Sequence, residues 1–226
     1  MGIEAAGMVP FAWMWLQLTD PQTEAQVVAR AFSEGYQGFI FDVESHQNPN
    51  LSCSGRYEQA TQLGQALQQL GVDTQRLYLC SFPNIDWHQD LPYDQMAGFC
   101  RGGTMPMAYG TFLASYTLEQ VLEEWTYGHH QAWCQRRDDW LPVYPALAPF
   151  YDDAGQQWMG PEAFAPWLEK LAGHDPTFFS IYAARSMDPM IAPSVKAFKL
   201  GEKELEPEKE IQVVVESPIA GFLRLR

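Results

Sequence analysis

The chain has 226 residues, 46% of them apolar, which suits one large domain or two small ones at roughly 150 residues per domain. A disordered chain and a disulfide-stapled miniprotein are thereby excluded. The formal net charge of −14 repels a phosphate backbone and an anionic membrane surface, so neither nucleic acid nor membrane is an expected partner.

The four cysteines, Cys53, Cys80, Cys100 and Cys134, follow neither a zinc-site spacing nor a dense disulfide framework, and they leave the compartment open. No apolar run approaches the ~18 residues of a membrane span, and residues 1–10 lack the basic start and apolar stretch of an export signal. The chain as given reads as soluble. It would reach the cell envelope or the exterior as part of a longer exported protein. Aromatic residues make up 14% of the chain, with eight Trp and ten Tyr. That load suits either a site that stacks on sugar rings or a large aromatic core.

An apolar stretch over Phe11–Leu18 ends at Thr19-Asp20-Pro21, where Asp20 can cap a helix and Pro21 fits its first position. Ala25, Val28, Ala29 and Phe32 then share one helical face, and Gly35 supplies the stop. Gly38–Glu44 (GFIFDVE) is a short, nearly continuous apolar run, the pattern of a strand covered on both faces in a parallel sheet. A second helix carries Ala60, Leu63, Leu67 and Leu70 and ends at Gly71. Arg76–Phe82 and Met105–Thr111 repeat the strand signature, with a polar, proline-containing loop and one short helix between them. Thr117–Gln120 is a capping box, opening a helix whose apolar face is Leu118, Val121, Leu122 and Trp125.

Leu141–Phe150 reads as a strand whose three prolines confine regular pairing to part of it. Pro161 opens a helix with Phe164, Trp167, Leu168 and Leu171 on one face, and Phe178–Ala183 follows as a sixth strand. Strands and helices alternating in this way specify a parallel sheet with helices outside. No G-x-G-x-x-G follows the first strand, so a dinucleotide cofactor is not expected. The expectation is a (β/α) TIM-type barrel of about six units over 1–200, incomplete against the eight of a full barrel. Open barrel edges would then favour a homo-oligomer. Residues 201–210 (GEKELEPEKE) read as a charged linker, and 211–226 as a short β-tail. Two strands alone are marginal in water, so the tail should lean on the barrel, pair with a partner, or begin a further domain.

Sites in parallel α/β folds lie at the carboxyl ends of the strands. Those ends carry Trp13 and Trp15, Asp42 and Glu44, Asn84, Tyr109, Tyr151 and Asp152, and Tyr182. Asp42 and Glu44 are two apart on one strand, so both side chains leave the same face. Two close carboxylates repel and one pKa rises, the division of labour used in glycoside hydrolysis. Helix capping, an arginine partner, or sugar binding without turnover are the other roles open to the pair. Asp152 could supply a second carboxylate across the mouth, or cap and solvate its loop. Trp13, Trp15, Tyr109, Asn84, Trp87, Tyr151 and Tyr182 are the candidate sugar-binding residues. The five histidines show no H-E-x-x-H or comparable ligand spacing, no G-x-S-x-G elbow occurs, and no metal is expected.

The strand Gly38–Glu44 resembles the D-x-E strand of the family 25 lysozymes and of a broader group of bacterial glycoside-hydrolase-like barrels. In that broader group an "ID-x-E" strand is followed by "LSSY/F-P…H…LP", "MPQ-x-Y" and "P-x-GP-x-Y" segments. Here the matching stretches are Leu79-Cys80-Ser81-Phe82-Pro83 with His88 and Leu91-Pro92, then Met105-Pro106-Met107-Ala108-Tyr109, then Pro145–Tyr151. The resemblance spans about Phe11–Pro189. It implies a TIM-type barrel acting on peptidoglycan or a related polysaccharide, with Glu44 as acid/base and Asp42 as its partner. The chain departs from the pattern at Ser180-Ile181-Tyr182-Ala183, where a W-E-W-like ending carries an acidic residue. The tail Val213–Arg226 resembles the opening strands of a bacterial SH3-like domain. Glycoside hydrolysis is thus the favoured expectation, against a non-catalytic barrel that binds glycan or serves assembly in an envelope or phage-derived structure.

Overall fold

The computed structural model describes residues 9–150, 159–181 and 212–218. It is a mixed α/β fold built on a curled, all-parallel sheet. The strands are β1 (Val9–Trp15), β2 (Gly38–Asp42), β3 (Leu77–Ser81), β4 (Gly103–Tyr109), β5 (Ala146–Ala148), β6 (Phe178–Ile181) and β7 (Gln212–Pro218). The helices are α1 (Pro21–Ser33), α2 (Tyr57–Gln69), α3 (Tyr93–Ala97), a π-helix over Glu119–His129 that runs into α4 (His130–Arg137), and α5 (Pro161–His174). β1 to β6 pair in chain order, each parallel to the next. β7 pairs parallel with both β6 and β1 and closes the ring. The described ring therefore has seven strands, and the edges expected to invite a second copy of the chain are both occupied by β7.

Local chemistry accounts for the helices that support the ring. Asp20 caps α1 by accepting the Thr23 N–H at 3.1 Å, and Gly35 ends it with φ +98°. Ala60, Leu63, Ala66 and Leu67 of α2 are buried, and α2 packs beside α1. The Thr117–Gln120 capping box forms in both directions: the Gln120 N–H donates to Thr117 Oγ1 at 3.2 Å and the Thr117 N–H to Gln120 Oε1 at 3.0 Å. Beyond that box the backbone adopts the wider π register, a rare form that recurs at functional sites. It buries Val121, Leu122, Trp125 and Thr126 together, and Thr126 Oγ1 donates to the Val121 carbonyl at 2.7 Å.

Alternation along the strands divides the core in two. Ala12, Phe39, Phe41, Val43, Leu77 and Leu79 face the helices α1, α2 and α3. Phe11, Ile40, Cys80, Met105, Met107 and Phe178 fill the inside of the ring, with Trp13, Tyr78, Tyr109 and Tyr144 packed against them. The inward set places the Asp42 side of β2 at the carboxyl mouth. β5 is short, three residues against the ten of the apolar stretch that contains it, because Pro145 and Pro149 bracket it and cannot donate to a ladder.

Candidate active site

β2 carries its two acids out of the ring on a backbone held from both sides. The Leu16 N–H donates to the Asp42 carbonyl at 2.9 Å, the Val43 N–H to the Cys80 carbonyl at 2.9 Å, and the Cys53 N–H to the Glu44 carbonyl at 3.1 Å. Ser81 Oγ donates to the Val43 carbonyl at 2.6 Å and lies 3.0 Å from the Tyr93 hydroxyl. The backbone that carries Asp42 and Glu44 is thereby fixed on both sides of the strand extension.

Asp42 is 7% exposed and Glu44 is half-buried. Burial pushes the Glu44 carboxyl above its ordinary range; a side-chain hydrogen bond with Asp42 and the charge of His46 oppose that shift without cancelling it. In that hydrogen bond the charged form of Glu44 is the favoured acceptor, so the bond pulls against the burial that raises the carboxyl. His46 packs edge-on against Trp15 at 5.7 Å and accepts the Asn48 N–H on Nδ1 at 2.9 Å.

The loop between β1 and α1 is braced around the same acids. Leu18 adopts φ +55°, a left-handed conformation costly for a bulky residue. Arg56 holds it, donating to the carbonyls of Leu18 at 3.2 Å and Pro49 at 2.8 Å. Cys53 Sγ donates to the Leu16 carbonyl at 2.8 Å, and burial pushes its thiol up to about 12, which makes it an inert brace. Glu24 faces the N–H groups of Gln17, Leu18 and Thr19, although burial outweighs them and raises its carboxyl. None of these braces stands out in the sequence. Only the position of Glu24 in the first turn of a capped helix could have signalled one.

The candidate sugar-binding residues fall into three groups. Trp13, Trp15 and Tyr109 lie half-buried on the inward strand faces at or near the mouth. Trp15 stands in register with Asp42, and its indole N–H is buried without an acceptor among the described residues. Asn84 is buried and its Oδ1 accepts the Asp86 N–H at 3.0 Å, committing that oxygen to the turn after β3. Trp87 is 40% exposed and packs on Trp125. Tyr151, Asp152 and Tyr182 lie outside the described residues, so the geometry fixes the Asp42–Glu44 pair alone among the expected acids. His129 and His130 diverge, as neighbours on a helix must. His129 Nδ1 lies 2.9 Å from Asp86 Oδ2, while His130 is fully buried and burial drives its imidazole down to about 3.

Among the described residues, no group of three His, Cys, Asp or Glu side chains is placed to hold a metal ion, and no helix is long and apolar enough to cross a membrane. Comparison of the chain with family models, curated proteins and solved structures returned no match.

Proposed function

We propose that the chain is a glycoside-hydrolase-like protein, its ring a seven-stranded relative of the TIM-type barrel, acting on peptidoglycan or a related polysaccharide. The observation that carries the reading is Glu44, a carboxyl raised by burial and hydrogen-bonded to Asp42 at the carboxyl mouth of a parallel sheet among half-buried aromatic rings. Such a carboxyl stays protonated where ordinary glutamates have ionised, so it can give its proton to a glycosidic oxygen as the C–O bond breaks. Negative charge on Asp42, or on Asp152, would steady the oxocarbenium ion until water attacks and returns a proton to Glu44.

One observation favours glycan binding without turnover. Asp42 and Glu44 bond to each other, whereas glycosidase carboxyls stand about 5–10 Å apart to bracket the scissile bond. The hydrolytic reading therefore needs an opposing acid, for which Asp152 is the candidate. The test is release of reducing ends from peptidoglycan and a panel of soluble polysaccharides at several pH values, wild type against Glu44→Gln. Release abolished by the substitution supports hydrolysis and assigns the acid. Equal inactivity of both proteins, with saccharide still bound, refutes it in favour of binding alone.

A further inference from the structure

Among the described residues, five large apolar side chains are exposed, and two of them, Trp87 at 40% and Tyr116 at 41%, meet in one patch. Trp87 sits on the turn after β3, and Tyr116 follows the turn after β4, so the patch belongs to the carboxyl end of the ring. Trp125 of the π-helix, 7% exposed, supports both rings from beneath. Its centroid lies 4.8 Å from that of Trp87 and 4.6 Å from that of Tyr116, each crossed steeply at 65° and 75°. Edge-to-face support of this kind fixes a ring without covering all of it.

The turn bearing Trp87 is fixed as well. Besides its Asn84 cap, Asp86 lies 2.9 Å from His129 Nδ1 and 3.6 Å from an Arg136 nitrogen, which ties the turn to the helix that supplies Trp125. Exposed aromatic rings held in place lose little entropy on binding, so the patch is preorganised. The acids and the patch share the carboxyl end of the ring: Ser81, the last residue of β3, donates to the Val43 carbonyl between the two acids at 2.6 Å, and the turn that bears Trp87 follows directly on β3.

We infer that this platform is an outer subsite for a neutral glycan strand: the strand's sugars lie against Trp87 and Tyr116 while another sugar of the same strand occupies the Glu44 mouth. The chemistry selects the occupant. Pyranose rings present C–H faces to aromatic surfaces and hydroxyls to a rim such as Asp86 and His129, whereas the net charge of −14 opposes a polyanion. A single-stranded nucleic acid would also stack on such rings, and charge excludes it. The inference rests on the proposed function to the extent that the mouth takes a sugar, and it adds that the substrate is an extended, uncharged polymer.

The experiment is calorimetric titration of the full chain with β-1,4-linked glucose and N-acetylglucosamine oligomers of two, four and six units, with oligo-dT as the anionic control. Wild type should bind the hexamer of at least one series more tightly than its dimer. Trp87→Ala and Tyr116→Ala should each weaken the hexamer by about tenfold and flatten the dependence on length, while Trp87→Phe restores most of it. Thermal melting of each variant separates a lost surface from a lost fold. Affinity independent of length, hexamer binding untouched by either alanine, no sugar bound by the folded chain, or tighter binding of oligo-dT would each overturn the subsite. Length-dependent binding that needs Trp87, without release of reducing ends, leaves the subsite standing and defeats hydrolysis alone.

Discussion

The inside of the ring has two ends lined by the same strands in the same alternation, yet they are built for opposite purposes. At the amino-terminal base, Phe178 stacks on Tyr144 at 4.0 Å, while Tyr78 lies 5.1 Å from Phe11 and 5.7 Å from Phe178. Gly38 makes room for this cluster, since a Cβ there would sit 2.6 Å from the Phe11 ring. At the carboxyl mouth, further along the strands and their extensions, the inward positions hold Trp15, Asp42, Glu44 and Tyr109. There a buried indole N–H lacks an acceptor among the described residues and a carboxyl is raised by burial. Close packing with glycine accommodation marks a plug. Buried polar groups at an opening are what the proposed sugar site requires.

Substitutions at each end should separate the two purposes. Glu44→Gln should lower hydrolysis by about 10²–10⁴-fold and raise thermal stability at neutral pH. The sign follows from linkage: a carboxyl raised in the folded state favours folding while protonated, and that contribution is lost as pH rises through the raised pKa. The stability gain should therefore disappear below the ordinary glutamate range, which melting curves across pH would show. At the base, Phe178→Ala should cost about 3–5 kcal/mol in denaturant unfolding. Gly38→Ala, by overpacking Phe11, should cost about 1–3 kcal/mol. Neither base variant should alter sugar affinity per folded molecule, and a matching loss of affinity would erase the distinction between plug and mouth. Asp20→Ala belongs to neither end; it should cost about 1 kcal/mol by uncapping α1. Trp15→Phe trims the indole to a smaller ring and removes an N–H that has no acceptor among the described residues, so melting should fall slightly while saccharide affinity falls a few-fold, about 1 kcal/mol or less.

Elements whose signals are local were legible in the sequence. The Asp20-Pro21 start, the Gly35 and Gly71 stops and the Thr117–Gln120 box each encode a cap, and each appears as a cap or turn in the structure. The shared face of Asp42 and Glu44 was legible for the same reason, since strand alternation is a property of adjacent residues. Features that depend on distant partners were not. The π register over Glu119–His129 was not legible, because the segment keeps the apolar spacing of an ordinary helix. The position of 212–218 between β6 and β1 could not be chosen from its own alternation, which leaves docking, pairing and a further domain equally open. The meeting of Tyr116 and Trp125 with Trp87 was not legible, because it joins residues from separate elements, although Trp125 itself was read as part of an apolar helix face.

Behind the mouth reading stands one claim: Glu44 is kept protonated by its surroundings so that it can give the proton away. A carbon NMR titration of side-chain carboxyls, with the Glu44 signal assigned against Glu44→Gln, measures that directly. A midpoint above the ordinary glutamate range, lowered when Phe substitution at Trp15 loosens the buried setting, is the result expected from burial as the dominant cause. A midpoint at or below the ordinary range would contradict the account, because Glu44 would then be a charged surface acid with no proton to donate.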